Sequence, residues 1–171
     1  YYVMTQKIET WNRSVGWYSF RDRHVTFRRM VLNAGNKPVP VMLETPVETD
    51  LSEDMEQRDA DFYAFVQNTL SKELYYSIQI NGDGFDQEWA KKSVKLLCYQ
   101  KRKVFYGNNL FARGACAAGA ELFITHRLRD YRYMSRSLVL TSVGMEMRVM
   151  GAPTYYPLIE AGRNWYESSA D

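Results

Sequence analysis

The sequence predicts an α/β fold on a mixed sheet, with three strands in succession and then alternating helices and strands. Three observations carry this reading. β-prone runs follow one another from Val15 to Leu43, and helical apolar spacing alternates with short apolar runs from Asp54 to Thr125. Within the second stretch, the strand Ser77-Ile78-Gln79-Ile80 runs into the glycine turn Asn81-Gly82-Asp83-Gly84-Phe85. The resulting order across residues 15–125 is β-β-β-α-β-α-β-α. Right-handed crossovers between parallel strands restrict how such an order can fold.

The first two strands form a hairpin. Val15 to Phe20 is rich in aromatic and β-branched residues, Arg21-Asp22-Arg23 is a polar turn, and His24 to Leu32 returns. Asn33 to Pro38 is a loop, and Val39 to Leu43 a short apolar strand that stops before Pro46. Glu48 to Asp61 begins as an acidic linker. From about Asp54 a helix is expected to run to Glu73, with Phe62, Phe65, Val66 and Leu70 on one face and its acids at the favourable N-terminal end.

The strand Tyr76 to Ile80 and its glycine turn come next. Two glycines permit a tight turn and a close backbone approach, and a helix starting directly after them would offer N–H groups to an anion. That helix is expected over Asp86–Tyr99, with Trp89, Val94, Leu97 and Cys98 inward and Lys91, Lys92 and Lys95 in water. Lys101-Arg102-Lys103 reads as a solvated basic loop. Val104 to Tyr106 is a strand, Gly107-Asn108-Asn109 a capping turn, and Leu110 to about Thr125 a helix. Gly114, Ala115, Ala117, Ala118 and Gly119 would let this helix pack closely on its neighbours. After a tyrosine-containing connector, residues 128–136, three short β segments are expected at Ser137–Thr141, Met145–Val149 and Tyr155–Ile159. The domain division is therefore 1–127 with a β-rich appendage at 128–171.

The chain has 171 residues, of which 46% are hydrophobic and 15% aromatic, enough to bury one substantial core. Its net charge of +2 supplies no general electrostatic reason to bind nucleic acid, so no nucleic-acid partner is expected. Cys98 and Cys116 read as buried thiols of a reducing compartment. No apolar run is long enough to span a bilayer and no secretory leader opens the chain, so a cytoplasmic product without membrane insertion is expected. The opening Tyr1-Tyr2 lacks an initiator Met, which suggests a processed product or a piece of something longer.

The β-β-β-α-β-α-β-α order is that of the ribonuclease H-like arrangement, and two motifs narrow it. Ile78 to Phe85 resembles the adenosine motif of the actin, sugar-kinase and Hsp70 ATPase superfamily, and Asn108 to Ala118 resembles the small-residue helix after the last strand of the second subdomain. Gly82-Asp83-Gly84-Phe85 with Trp89, then Gly107 to Leu110 and Gly114-Ala115-Cys116, is similar to a clostridial Hsp70-like family of uncharacterised function. The resemblance implies a five-stranded mixed sheet with the second strand antiparallel and helices on both faces. It also implies ATP or ADP in a full-length parent, held against Gly82, Asp83, Gly84 and Phe85, and a missing first subdomain of the same protein as partner. Asp83 is either a ribose ligand or a residue that caps its own turn. The appendage could serve as a docking surface for another protein or extend the main sheet.

Departures from the superfamily weigh against hydrolysis. ATP-hydrolysing members carry an acid and closely spaced glycines on the first hairpin, where this chain has Asn12-Arg13-Ser14-Val15-Gly16-Trp17. A Mg²⁺ site needs at least one carboxylate or phosphate. A metal-dependent nuclease would need carboxylates on the first and fourth strands, and Val15–Phe20 and Tyr76–Ile80 contain none. Asn81, Asp83 and Asp86 do not make a calcium loop, because Phe85 stands where an oxygen ligand belongs. His24 and His126 lack partners at metal-ligand spacing. The functional expectation is a nucleotide-sensing or scaffold module in a larger bacterial assembly. The alternative is a small enzyme using Cys98, paired with His126, or the Gly82–Gly84 turn.

Overall fold

A computed structural model describes residues 14–33, 35, 38–71 and 73–165. Asn12 and Arg13 of the hairpin start, three positions of the 33–38 loop and Lys72 lie outside the described residues. The chain divides into two compact units, 1–133 and 134–171.

In the first unit, β1 (Ser14–Arg21) and β2 (His24–Leu32) form an antiparallel hairpin in which Arg21 pairs with His24. β3 (Val39–Leu43) pairs antiparallel with the end of β2, from Met30 to Leu32. β4 (Val47–Asp50) pairs with its beginning, from His24 to Phe27. After α1 (Met55–Leu70), β5 (Tyr75–Asp83) lies parallel to β1, and β6 (Lys103–Tyr106) parallel to β5. The sheet order is β6-β5-β1-β2-β3-β7, where β7 is Tyr131–Met134. This is the ribonuclease H-like sheet expected from the sequence, with the second strand antiparallel. It is widened from five strands to seven by β4, which the acidic composition of residues 47–50 disguised as linker, and by β7, drawn from the polar connector.

The alternation of each strand sorts residues to two faces. One face brings Tyr18, Phe20, Val25, Phe27, Ile78 and Ile80 against Phe62, Phe65, Val66 and Leu70 of α1 and Leu97 of α2 (Lys91–Leu97). Each such side chain contributes about 1.5–3 kcal/mol by burial. Tyr18 is wholly buried and its hydroxyl lies 2.6 Å from Thr69 Oγ1. Burial pushes its pKa far above the ordinary phenol value. The other face carries Val15, Met30, Leu32, Val39 and Val41, with Trp17 and Tyr131 packed against them.

Three expectations about helices change. α1 is N-capped by Asp54, whose side chain accepts from Gln57 N–H at 3.0 Å, and ends at Leu70. The expected helix over 86–99 is only α2, because Asp86 first makes a turn, accepting from Glu88 N–H at 2.9 Å. α3 covers Leu110–Ala120 and continues as a π-turn, Glu121–Thr125. Its expected close packing is corrected: among the described residues, a Cβ built on Gly114 or Gly119 meets nothing within 4 Å. Cys98 and Cys116 are likewise exposed rather than buried.

In the second unit, β8 (Val143–Val149) and β9 (Ala152–Ile159) form an antiparallel hairpin closed by Met150 and Gly151, both with positive φ, as a tight two-residue turn requires. Residues 137–141 are not a strand; Leu138 makes an isolated bridge to Asn164. Met145, Met147, Tyr155, Tyr156 and Leu158 of the hairpin are exposed.

Candidate functional site

The glycine turn is built into the sheet. Ser19, Phe20 and Arg21 of β1 pair with Asn81, Gly82 and Asp83, so the strand continues through the segment read as a turn. Gly82 has φ +97° and Gly84 φ +108°, both in the region glycine alone occupies readily. A Cβ on Gly82 would stand 1.9 Å from the Phe20 carbonyl oxygen, and one on Gly84 2.1 Å from that of Asp22. The close approach these glycines permit is to the chain's own first hairpin.

The neighbours of the pair are similarly engaged. Phe85 is buried, with its ring centroid 5.3 Å from Phe20, 5.1 Å from Tyr106 and 6.0 Å from Trp89. Trp89 Nε1 donates to the Gly84 carbonyl at 3.2 Å. Asn81 is buried, and its Oδ1 accepts from Trp17 Nε1 at 2.8 Å and Ser19 Oγ at 2.9 Å. Of the four residues expected at a nucleotide, Phe85 is buried, Gly82 half-buried, and Asp83 and Gly84 are exposed, Asp83 with the one polar side chain of the four.

The N-terminus of α2 also has an internal partner. Buried Asp59, on α1, accepts from Lys92 N–H at 2.9 Å, Ser93 N–H at 3.0 Å and Ser93 Oγ at 2.7 Å. Burial pushes its carboxyl up, and these bonds outweigh that effect, leaving its pKa below the ordinary value. Asp59 therefore occupies the place an external anion would take.

Among the described residues, hollows lie on both sides of the sheet. On the second face, Trp17, Met30, Val41 and Leu43 with Leu122, Leu128, Tyr131 and Tyr133 line a groove of ≈ 460 Å³. At its edge Glu121 is buried, accepting from Thr125 Oγ1 at 2.8 Å and from Leu128 N–H. Burial raises its pKa, and those bonds more than reverse the effect, fixing the chain after the π-turn. On the α1 and α2 side, Tyr63, Lys92, Lys95, Leu96 and Tyr99 line a cleft of ≈ 610 Å³. Sequence reading did not bring these five together, although Lys92, Lys95 and Tyr99 have the three- and four-residue spacing of a helix face.

No group of three or more His, Cys, Asp or Glu suited to a metal ion occurs among the described residues. Cys98 stands at the end of α2, exposed, and His126 follows the π-turn in a left-handed conformation; no hydrogen bond joins them among the described residues. Nor is any helix long and apolar enough to cross a membrane among those residues.

The C-terminal model of a family of unknown function, DUF5716, matches residues 1–136. A comparison with curated proteins gives no match. Among solved structures, Thermus thermophilus RuvC aligns with a TM-score of 0.46 and 14% identity, covering 61% of this chain and 68% of that one. T. thermophilus RuvC in complex with Holliday junction substrate gives 0.45 and 14%, covering 62% and 72%. The yeast mitochondrial Holliday junction resolvase Ydc2 gives 0.39 and 9%, covering 72% and 67%. These neighbours are resolvases rather than Hsp70 or actin ATPases. One is solved on a DNA junction, and the expectation that excluded nucleic acid is accordingly withdrawn. Its physical weakness is that a net charge averages over the chain and hides local concentrations of one sign.

Proposed function

The chain belongs to the DUF5716 family, and from that premise we propose that it is a non-hydrolytic ribonuclease H-like module, kept as a scaffold within a larger bacterial assembly. The observation that carries this reading is the use of Gly82 and Gly84 in packing β5 against Phe20 and Asp22, which gives both glycines a purpose without a nucleotide. A nucleotide-sensing role would instead set ATP or ADP against Gly82, Asp83, Gly84 and Phe85. Phe85 belongs to the aromatic core, and the nearby helix start is capped by Asp59.

What the module offers instead is surface. Phe111, Leu122, Phe123 and Ile124 of α3 and its π-turn are 70%, 59%, 82% and 76% exposed, and the intervening Ala112 and Ala115 are exposed as well. Small and apolar side chains together on one helix permit close approach by another protein surface.

Calorimetric titration of ATP and of ADP into the full-length parent, with and without Mg²⁺, tests the reading. The expected result is no saturable heat. A dissociation constant below about 10 μM, roughly −7 kcal/mol, lost in Asp83→Ala, would overturn it in favour of nucleotide sensing.

A further inference from the structure

We propose that the cleft between α1 and α2 binds single-stranded nucleic acid, with Lys92 and Lys95 taking backbone phosphates and the rings of Tyr63 and Tyr99 taking bases. This surface is separate from α3 and does not rest on the scaffold reading.

Charge concentration is the first support. Residues 91–103 contain six basic side chains and no acid, while the whole chain carries only +2, so the remainder is net acidic. Arg102 is spent internally, its guanidinium donating to the Leu96 carbonyl at 2.6 Å and the Tyr99 carbonyl at 2.9 Å. Lys103 is also engaged, its Nζ 3.2 Å from the Tyr76 hydroxyl. Lys91, Lys92, Lys95 and Lys101 are exposed and make no ion pair among the described residues. Asp59 holds the Lys92 backbone N–H, which anchors that residue while its side chain faces water.

The rings are the second support. Tyr63 is 37% exposed and Tyr99 64%, and both line the same open cleft as Lys92 and Lys95. Directly after Tyr99, Gln100 and Lys101 have φ of 60° and 59°, a left-handed pair of non-glycine residues that costs free energy. The two Arg102 bonds clamp this turn, so Tyr99 is presented from a fixed backbone and loses less freedom on binding.

Together these features favour one class of partner. Ammonium groups alone would accept any polyanion, but exposed rings beside them add a stacking platform that every base can use. A lipid surface would call for inserted Trp, Phe or Leu, and the cleft has only Leu96.

Fluorescence anisotropy of the whole chain with a labelled oligothymidylate, at 50 and 200 mM salt, tests the proposal. The expected outcome is micromolar binding that weakens with salt. The double variant Lys92→Gln/Lys95→Gln should weaken it about tenfold or more and reduce the salt slope by about 1.4, the share of two single-strand phosphates. Tyr99→Ala should weaken it about fivefold or more without changing that slope. Circular dichroism confirms that the variants, all at exposed side chains, stay folded. No binding up to about 100 μM at 50 mM salt would overturn the proposal. So would indifference to Tyr99→Ala, or equal competition by heparin or phosphatidylserine vesicles, which would assign the cleft to polyanions or membranes in general.

Discussion

Gly82 and Gly84 at the end of β5, and Gly114 and Gly119 along α3, place the same residue type in opposite surroundings. The first pair sits at positive φ with backbone atoms of Phe20 and Asp22 where a Cβ would go; the second has open space among the described residues. Sequence suggested close contact for both, with a ligand at one and with neighbouring elements at the other. The structure finds close contact only at β5, and the contact is the protein's own backbone. A glycine pair after a strand is thus explained by sheet construction before any nucleotide is invoked. Helical glycines with no described side chain or backbone near their Cβ positions mark an open part of α3.

Substitutions sharpen this contrast. Phe85→Ala, beside the constrained pair, should cost about 3–5 kcal/mol, because it removes a ring packed among Phe20, Trp89 and Tyr106. Urea denaturation measures this, and a cost below about 1 kcal/mol would remove Phe85 from the core. Asp59→Ala should cost about 2–3 kcal/mol by leaving the Lys92 and Ser93 donors of α2 unpartnered. The Asp59 carboxyl is depressed in the fold, so its contribution is present above its ordinary value and lost as the pH falls through the lower folded value. Stability of the wild type should therefore decline below about pH 4, and the variant should lose that part of the decline. At the smallest end, Phe123→Ser on the open helix should change stability by no more than about 0.5 kcal/mol. A larger loss would mean that α3 is packed after all.

Much of the fold was legible because strand alternation and helix period are local. β1, β2, β3, β5 and β6 all appear where β-branched and aromatic residues cluster, and α1 where Phe62, Phe65, Val66 and Leu70 share a face. β4 was not legible, since Glu48, Thr49 and Asp50 become a strand only by pairing with His24 to Thr26. The site was less legible still. That Phe85 belongs to an aromatic cluster with Phe62 and Phe20 depends on contacts between distant parts of the chain. Asp59 capping α2 spans 33 and 34 residues, and no local motif announces it. The exposure of Cys98 and Cys116 was missed for the same reason, because helical position alone does not say whether a face is covered.

The most direct test of the account compares Gly82→Ala with Gly114→Ala in the ligand-free chain by chemical denaturation. Gly82→Ala should destabilise by about 3 kcal/mol or more, combining an unfavourable φ with overlap on the Phe20 carbonyl. Gly114→Ala should stabilise by about 0.5–1 kcal/mol, the ordinary gain of alanine in an uncrowded helix. Opposite signs would bear out the division between a turn built for the sheet and a helix left open. An unchanged midpoint for Gly82→Ala, or a loss for Gly114→Ala, would contradict it.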